Sequence, residues 1–191
     1  DMDYVAVTAE PGLVGSLMVG INAAKTLAMC YDLPLIEVNH IHGHIYANYL
    51  KDDFTFPLIA LVVSGGHTEL VLMEDHFNFK LLGQTLDDAV GEAYDKIARV
   101  VNVGYPGGPI IDQMAKKGKP SYNLPHIKLA KDSYDFSFSG LKSAVINLAN
   151  KAALKGEELD KNDLAASFQD AVVDVLVSKT IKAAQEYDAK Q

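Results

Sequence analysis

The 191 residues are 49% hydrophobic and carry a net charge of −8, a globular composition sufficient for one sizeable domain or parts of two. No apolar run reaches the ~18 residues of a membrane-spanning helix, and the acid excess excludes nucleic-acid binding by bulk charge; the densest basic run, Lys116-Lys117-Gly118-Lys119, is short. The single cysteine, Cys30, excludes an internal disulfide and fits a reducing cytoplasm.

The start, Asp1-Met2-Asp3-Tyr4, lacks the basic stretch of a signal peptide and leads directly into a strand pattern, while the end stops inside a helical one. Both ends therefore read as cuts in a longer chain. Residues 4–8 predict a buried strand, Pro11-Gly12 and Gly15 a tight turn, residues 16–31 a helix, and 33–38 a second strand. Cys30 falls in the apolar helical run and is expected to be buried. Strand, glycine turn, helix and strand make a βαβ unit, which predicts parallel pairing and an α/β fold. The glycine turn is either a plain turn or an anion-receiving helix start.

Residues 40–50 predict a helix. The strands 58–63 and 68–73 flank a short glycine-rich hairpin loop, Ser64-Gly65-Gly66-His67, and 79–82 predict a third strand. Residues 86–101 predict a helix opening on Asp87-Asp88, an acidic pair suited to the helix dipole. Gly104-Tyr105-Pro106-Gly107-Gly108-Pro109 is a rigid turn before a helix at 110–117. Residues 118–134 are polar and irregular and read as a linker or surface loop. Two long helices follow, 139–155 and 160–187. Lobe boundaries are candidates near residues 52 and 120.

Four segments are candidates for chemistry. His40 and His44 share a helix face at i and i+4 and could bind one metal ion; the glutamate that the metalloprotease helix motif needs between its histidines is absent. His42 points the other way, as a surface or half-buried histidine. Val62-Val63-Ser64-Gly65-Gly66-His67-Thr68 is either an ordinary hairpin or a loop whose glycines admit a ligand to the backbone, with hydroxyls of Ser64 and Thr68 as further donors. In Gly91-Glu92-Ala93-Tyr94-Asp95-Lys96, with Gly108 and Asp112 beyond, a carboxylate near a glycine turn could accept ribose hydroxyls; a solvated Asp95–Lys96 pair is the alternative. Asp135-Phe136-Ser137-Phe138-Ser139-Gly140-Leu141-Lys142 reads as structure: two phenylalanines facing one core and Ser139 as an N-cap.

In this order, and with Pro11-Gly12-Leu13-Val14-Gly15-Ser16-Leu17 at the front, these motifs resemble those of the bacterial TsaD family, the tRNA N6-adenosine threonylcarbamoyltransferases once called glycoproteases. The histidine after the double glycine resembles the bacterial and organellar branch. The resemblance implies an actin/Hsp70-like (ASKHA) fold with ribonuclease-H-like lobes, incomplete in this chain: residues 1–52 as the C-terminal part of lobe I and 53–191 as the N-terminal part of lobe II. It implies one divalent metal on His40 and His44, iron or alternatively zinc. It implies that Val62, Val63, Ser64, Gly65 and Gly66 hold the phosphate and acyl part of threonylcarbamoyl-AMP, and that Asp95, Gly108 and Asp112 hold its adenosine part. The implied reaction transfers the threonylcarbamoyl group to N6 of an adenosine next to the anticodon in tRNAs reading codons that begin with A. Implied partners are tRNA, a shorter TsaB-like paralogue and a TsaE-like ATPase, in the cytoplasm and without a membrane. Catalytic side chains beyond the metal ligands are not assigned.

Two features depart from the family pattern. Glu10 stands where a glycine usually precedes Pro11-Gly12. The family's upstream phosphate loop, its later nucleotide-binding asparagine and its third metal ligand, an aspartate, have no counterpart here. The chain alone is therefore expected to have an incomplete metal site and little or no activity. The alternatives are a metalloprotease, a non-catalytic nucleotide-binding scaffold, or an actin-like sugar or acetate kinase.

Overall fold

The computed structural model describes residues 2–125, 129 and 132–191. Part of the expected linker at 118–134 lies outside them. The chain divides into two compact units, Asp1–Phe54 and Thr55–Gln191, beside the expected break after residue 52.

In the first unit, β1 (Val5–Glu10) and β2 (Leu35–Asn39) pair in parallel, joined by α1 (Val14–Tyr31). This is the predicted βαβ unit, because a parallel pair needs a crossover and a helix supplies it. β1 is not buried as expected: none of its residues is fully buried, since β2 alone pairs with it. Cys30 is a second correction. It is exposed, because α1 buries Ala24 and Ala28 and Cys30, two positions beyond Ala28, lies across the helix. The expected helix at 40–50 is α2 (His40–Tyr46) followed by a 3₁₀ turn, Ala47–Leu50.

The second unit is an antiparallel meander of β3 (Leu58–Val63), β4 (Thr68–Asp75) and β5 (Asn78–Gln84) with four helices: α3 (Val90–Val100), α4 (Gly107–Ala115), α5 (Ser139–Lys155) and α6 (Lys161–Glu186). Leu70 to Met73 of β4 are all buried, as the central strand of three requires. The core runs from Leu70 through Ala93 and Ile97 of α3 and Ile111 of α4 to Leu141, Val145, Phe168 and Val172. Phe136 and Phe138 are fully buried and stack with planes 10° apart, so their alternation does mark one core.

Three expectations about local structure change here. α3 begins at Val90, so Asp87 and Asp88 precede it rather than charging its first turn. Asp87 instead accepts bonds from the Phe138 amide at 2.8 Å and the Ser137 hydroxyl at 2.5 Å, so it caps α5 from a distance. Ser139 opens that helix without capping it. The segment after Lys117 is no free linker. Lys119 N and Ser121 Oγ donate to Asp163, Tyr122 N donates to Ser167 Oγ, and Leu124 is buried.

Candidate functional site

In the first unit, β2 hands the chain to α2 through Asn39. Its Oδ1 accepts from the amides of Ile41 at 2.9 Å and His42 at 3.1 Å, an N-cap that fixes where the helix starts. Ile41 and Ile45 are buried on one face. His40 and His44, each one position earlier in the turn, are then carried together on the exposed face. Their Nε2 atoms stand 3.1 Å apart, with ring planes at 70°. His42 is half-buried and belongs to the other face.

Two nitrogen ligands in adjacent positions about 2.1 Å from one cation stand roughly 3–3.4 Å apart, so the pair fits two ligands of a metal site. Among the described residues no third His, Cys, Asp or Glu joins them.

In the second unit, the β3–β4 hairpin closes with Ser64 N donating to His67 O at 2.8 Å and His67 N donating to Ser64 Oγ at 3.0 Å. Gly65 and Gly66 have no left-handed backbone, and a Cβ on either would meet nothing within 4 Å. Their glycine identity therefore keeps open space above the loop. Thr68 is not a surface donor as expected. It is fully buried, and its Oγ1 accepts from Val90 N at 2.9 Å.

The loop rests on the start of α3, where Gly91 N donates to Ser64 O at 3.2 Å. A Cβ on Gly91 would lie 2.6 Å from Gly65 Cα, so only glycine permits that approach. Asp95 lies one turn further along the same face of α3. It does not form a solvated pair with Lys96. Its Oδ1 accepts from Gly107 N at 2.7 Å, capping α4, while Lys96 pairs with Asp88 and Glu92. Gly107 admits this closeness, since a Cβ there would be 2.7 Å from Asp95 Cα. Gly108 faces open space, and Asp112, four residues on, shares its helix face.

Asp112 has its carboxyl held below the usual range, first by Lys116, whose Nζ is 2.6 Å from Oδ2, and also by Gln169, which donates to Oδ1. Burial and then the Asp112 charge push the Tyr94 hydroxyl up to about 12. Ser64 and Gly65 thus lie in the hairpin loop that rests on the start of α3, Asp95 follows on α3, and Gly108 and Asp112 lie on α4. Val62 is buried at the end of β3, and Val63 beside it is exposed. Gln169 is the contributor that local sequence does not single out. For Gln169 the available signal is a polar residue directly after the buried run Leu164 to Phe168.

The family model for TsaD, tRNA N6-adenosine threonylcarbamoyltransferase, matches residues 1–191. Among curated relatives, the tRNA N6-adenosine threonylcarbamoyltransferase of Bacillus subtilis (strain 168) is 59% identical over 191 residues, covering 100% of this chain and 55% of the relative. The protein of that name from Geobacillus kaustophilus (strain HTA426) is 61% identical over 190 residues, 100% of this chain and 56% of the relative. The chain belongs to the TsaD family. Its fold is accordingly the actin-like ASKHA fold, of which the parallel βαβ unit and the antiparallel meander are parts. The chain spans about 55% of the length of these TsaD relatives. No helix among its described residues is long and apolar enough to cross a membrane.

Proposed function

We propose that this chain is the part of a threonylcarbamoyl transferase that carries two of its metal ligands and much of its nucleotide surface. The whole protein then moves the threonylcarbamoyl group from threonylcarbamoyl-AMP to N6 of an adenosine next to the anticodon of tRNA. The carrying observation is the His40–His44 pair, with Nε2 atoms 3.1 Å apart, in a TsaD-family chain. A scaffold that only bound nucleotide would have no use for it, and a helix-motif protease would need a glutamate between the two.

His40 and His44 would hold one divalent cation, iron or zinc, with a further ligand from elsewhere in the full-length protein. Such a cation supplies charge stabilisation to a carbamoyl oxygen in the transition state. Val62 to Gly66 would receive the phosphate and acyl part, because the open space above Gly65 and Gly66 lets a ligand reach the backbone. Asp95, Gly108 and Asp112 would receive the adenosine part. Asp112, like any aspartate of ordinary or lowered pKa, is ionised at neutral pH, so its oxygens could accept ribose hydroxyls. Attack by the adenine N6 forms the new C–N bond and breaks the bond from the carbamoyl carbon to phosphate oxygen, releasing AMP, while the amine gives up one proton to solvent. The acid excess of −8 supports a division of labour in which other segments or subunits, a TsaB-like paralogue and a TsaE-like ATPase, help hold the tRNA. The setting is the cytoplasm.

The test is elemental analysis of the full-length protein purified without oxygen, beside its His40→Ala/His44→Ala variant, with both assayed for transfer from threonylcarbamoyl-AMP to tRNA. Near-stoichiometric iron or zinc, lost with activity in the variant, supports the reading. A folded, metal-free and active wild type would refute it.

A further inference from the structure

Asp112 is held from two directions. Lys116, one turn on in α4, reaches Oδ2 at 2.6 Å, but its side chain is 69% exposed, and such solvated pairs fix geometry weakly. Gln169 comes from α6, 57 positions away, and donates Nε2 to Oδ1 at 3.4 Å. It is half-buried and follows Phe168, which is fully buried with its ring 5.0 Å from that of Tyr94 in an edge-on contact. Residues of α3, α4 and α6 therefore meet around one carboxylate. The packed Phe168–Tyr94 contact anchors the α6 side of that meeting point.

The chemistry of the donor matters. A primary amide gives one hydrogen bond without cancelling charge, so an ionised carboxylate so held keeps lone pairs for two hydroxyls. A second cation at this place would neutralise it; a second carboxylate would repel it and raise its pKa. The contact is longer than the usual ~2.7–3.2 Å of N–H···O bonds, which leaves room to tighten when hydroxyls engage the same group.

We propose that Gln169 is a positioning residue that orients the Asp112 carboxylate toward the ribose hydroxyls of an adenine nucleotide. This rests on the assignment of Asp112 to the adenosine part of the site. Gln169 itself touches no reacting atom, and its effect falls on nucleotide affinity through Asp112.

AMP is the probe, titrated calorimetrically into the full-length protein and into the variants Gln169→Leu, Gln169→Glu, Asp112→Asn and Gln169→Leu/Asp112→Asn. Gln169→Leu should weaken AMP binding about three- to tenfold, the factor carried by one hydrogen bond of ordinary strength. Gln169→Glu, which keeps the shape and so controls for packing, should weaken it further at neutral pH. In the Asp112→Asn background the Gln169→Leu loss should shrink to within twofold, because the group being oriented has already changed. AMP affinity equal to wild type in Gln169→Leu, beside a weakened Asp112→Asn, overturns the proposal alone. A Gln169→Leu loss of the same size in both backgrounds also overturns it, since a general packing defect would behave so. Wild-type affinity in Asp112→Asn overturns the adenosine-site assignment and the proposal with it.

Discussion

Thr68 to valine is the most direct probe of how the hairpin is fixed to the start of α3. Thr68 is fully buried, and Val90, whose amide it receives at 2.9 Å, is 6% exposed. Valine nearly preserves the shape and removes the acceptor that this amide has among the described residues. A buried donor left unsatisfied costs about 1–3 kcal/mol. The added methyl offsets at most ~0.8 kcal/mol of that. The net expectation is a loss of roughly 1–2 kcal/mol, or a factor of about 5–30 in the folded-to-unfolded ratio. Thr68→Ser keeps the acceptor and loses one methyl, so its stability also falls, but its local signature differs. Hydrogen exchange resolved across residues 85–95 should show the first turn of α3 opening faster in Thr68→Val and unchanged relative to the rest of the helix in Thr68→Ser. Urea titration followed by circular dichroism gives the global cost, compared at constant m. Because Gly91 of the same turn carries Ser64 and Gly65, AMP affinity should fall with it in the full-length protein. A Thr68→Val chain within ~0.5 kcal/mol of wild type, with no faster exchange in that turn, would refute the cap.

Three further outcomes are expected. Gly91→Ala forces backbone against backbone at 2.6 Å and should cost about 1–3 kcal/mol by urea titration, whereas Gly66→Ala, in open space without a left-handed φ, should leave the urea midpoint unchanged while weakening threonylcarbamoyl-AMP binding in the full-length protein; equal stability effects would count against the packing argument. Phe138→Ala, which empties a fully buried site, should lower stability by about 3–5 kcal/mol, and a loss under ~1 kcal/mol would show the site collapsing freely. Asp163 is held below the ordinary carboxylate range, first by the Lys119 amide and then by the Ser121 hydroxyl. A lowered folded pKa gives stability that is present above the ordinary value of about 3.9 and lost as pH falls through the folded value. The gap in urea midpoint between wild type and Asp163→Asn should therefore close below about pH 4, and a gap independent of pH would rule out its ionisation as the cause.

What local sequence could reveal, and what it could not, divides along a physical line. The βαβ unit, the hairpin, the long helices and the His40–His44 pair all rest on periodicity or on caps within three residues, as with Asn39, and each was legible. Apart from the burial of β1 and Cys30 and the cap at Ser139, the differences concern groups whose partners are far along the chain. Asp87 reads locally as a helix-dipole residue, Asp95 has a solvated pair with Lys96 as its alternative reading, and the stretch from residue 118 reads as a linker or surface loop. In each place the structure adds what those readings lack: an aspartate bonds a backbone amide from another segment. Asp87 receives Phe138 N, Asp95 receives Gly107 N, Asp135 receives Gln84 N and Asp163 receives Lys119 N, with sequence separations of 51, 12, 51 and 44. Local propensity places aspartate at turns and caps but carries no information on which amide it will find. These four bonds also change the meaning of the acid excess. A charge of −8 first reads as a surface repelling nucleic acid, yet these four acids staple the second unit together. A charged acceptor makes roughly twice as strong a bond as a neutral one, so aspartate serves better there than asparagine. Two of those staples, Asp87 at the start of α5 and Asp95 at the start of α4, set helix ends, and the second sets the end that carries Gly108 and Asp112. The proposed adenosine-binding residues are thus aligned by a long-range contact that the sequence, while naming those residues, does not reveal.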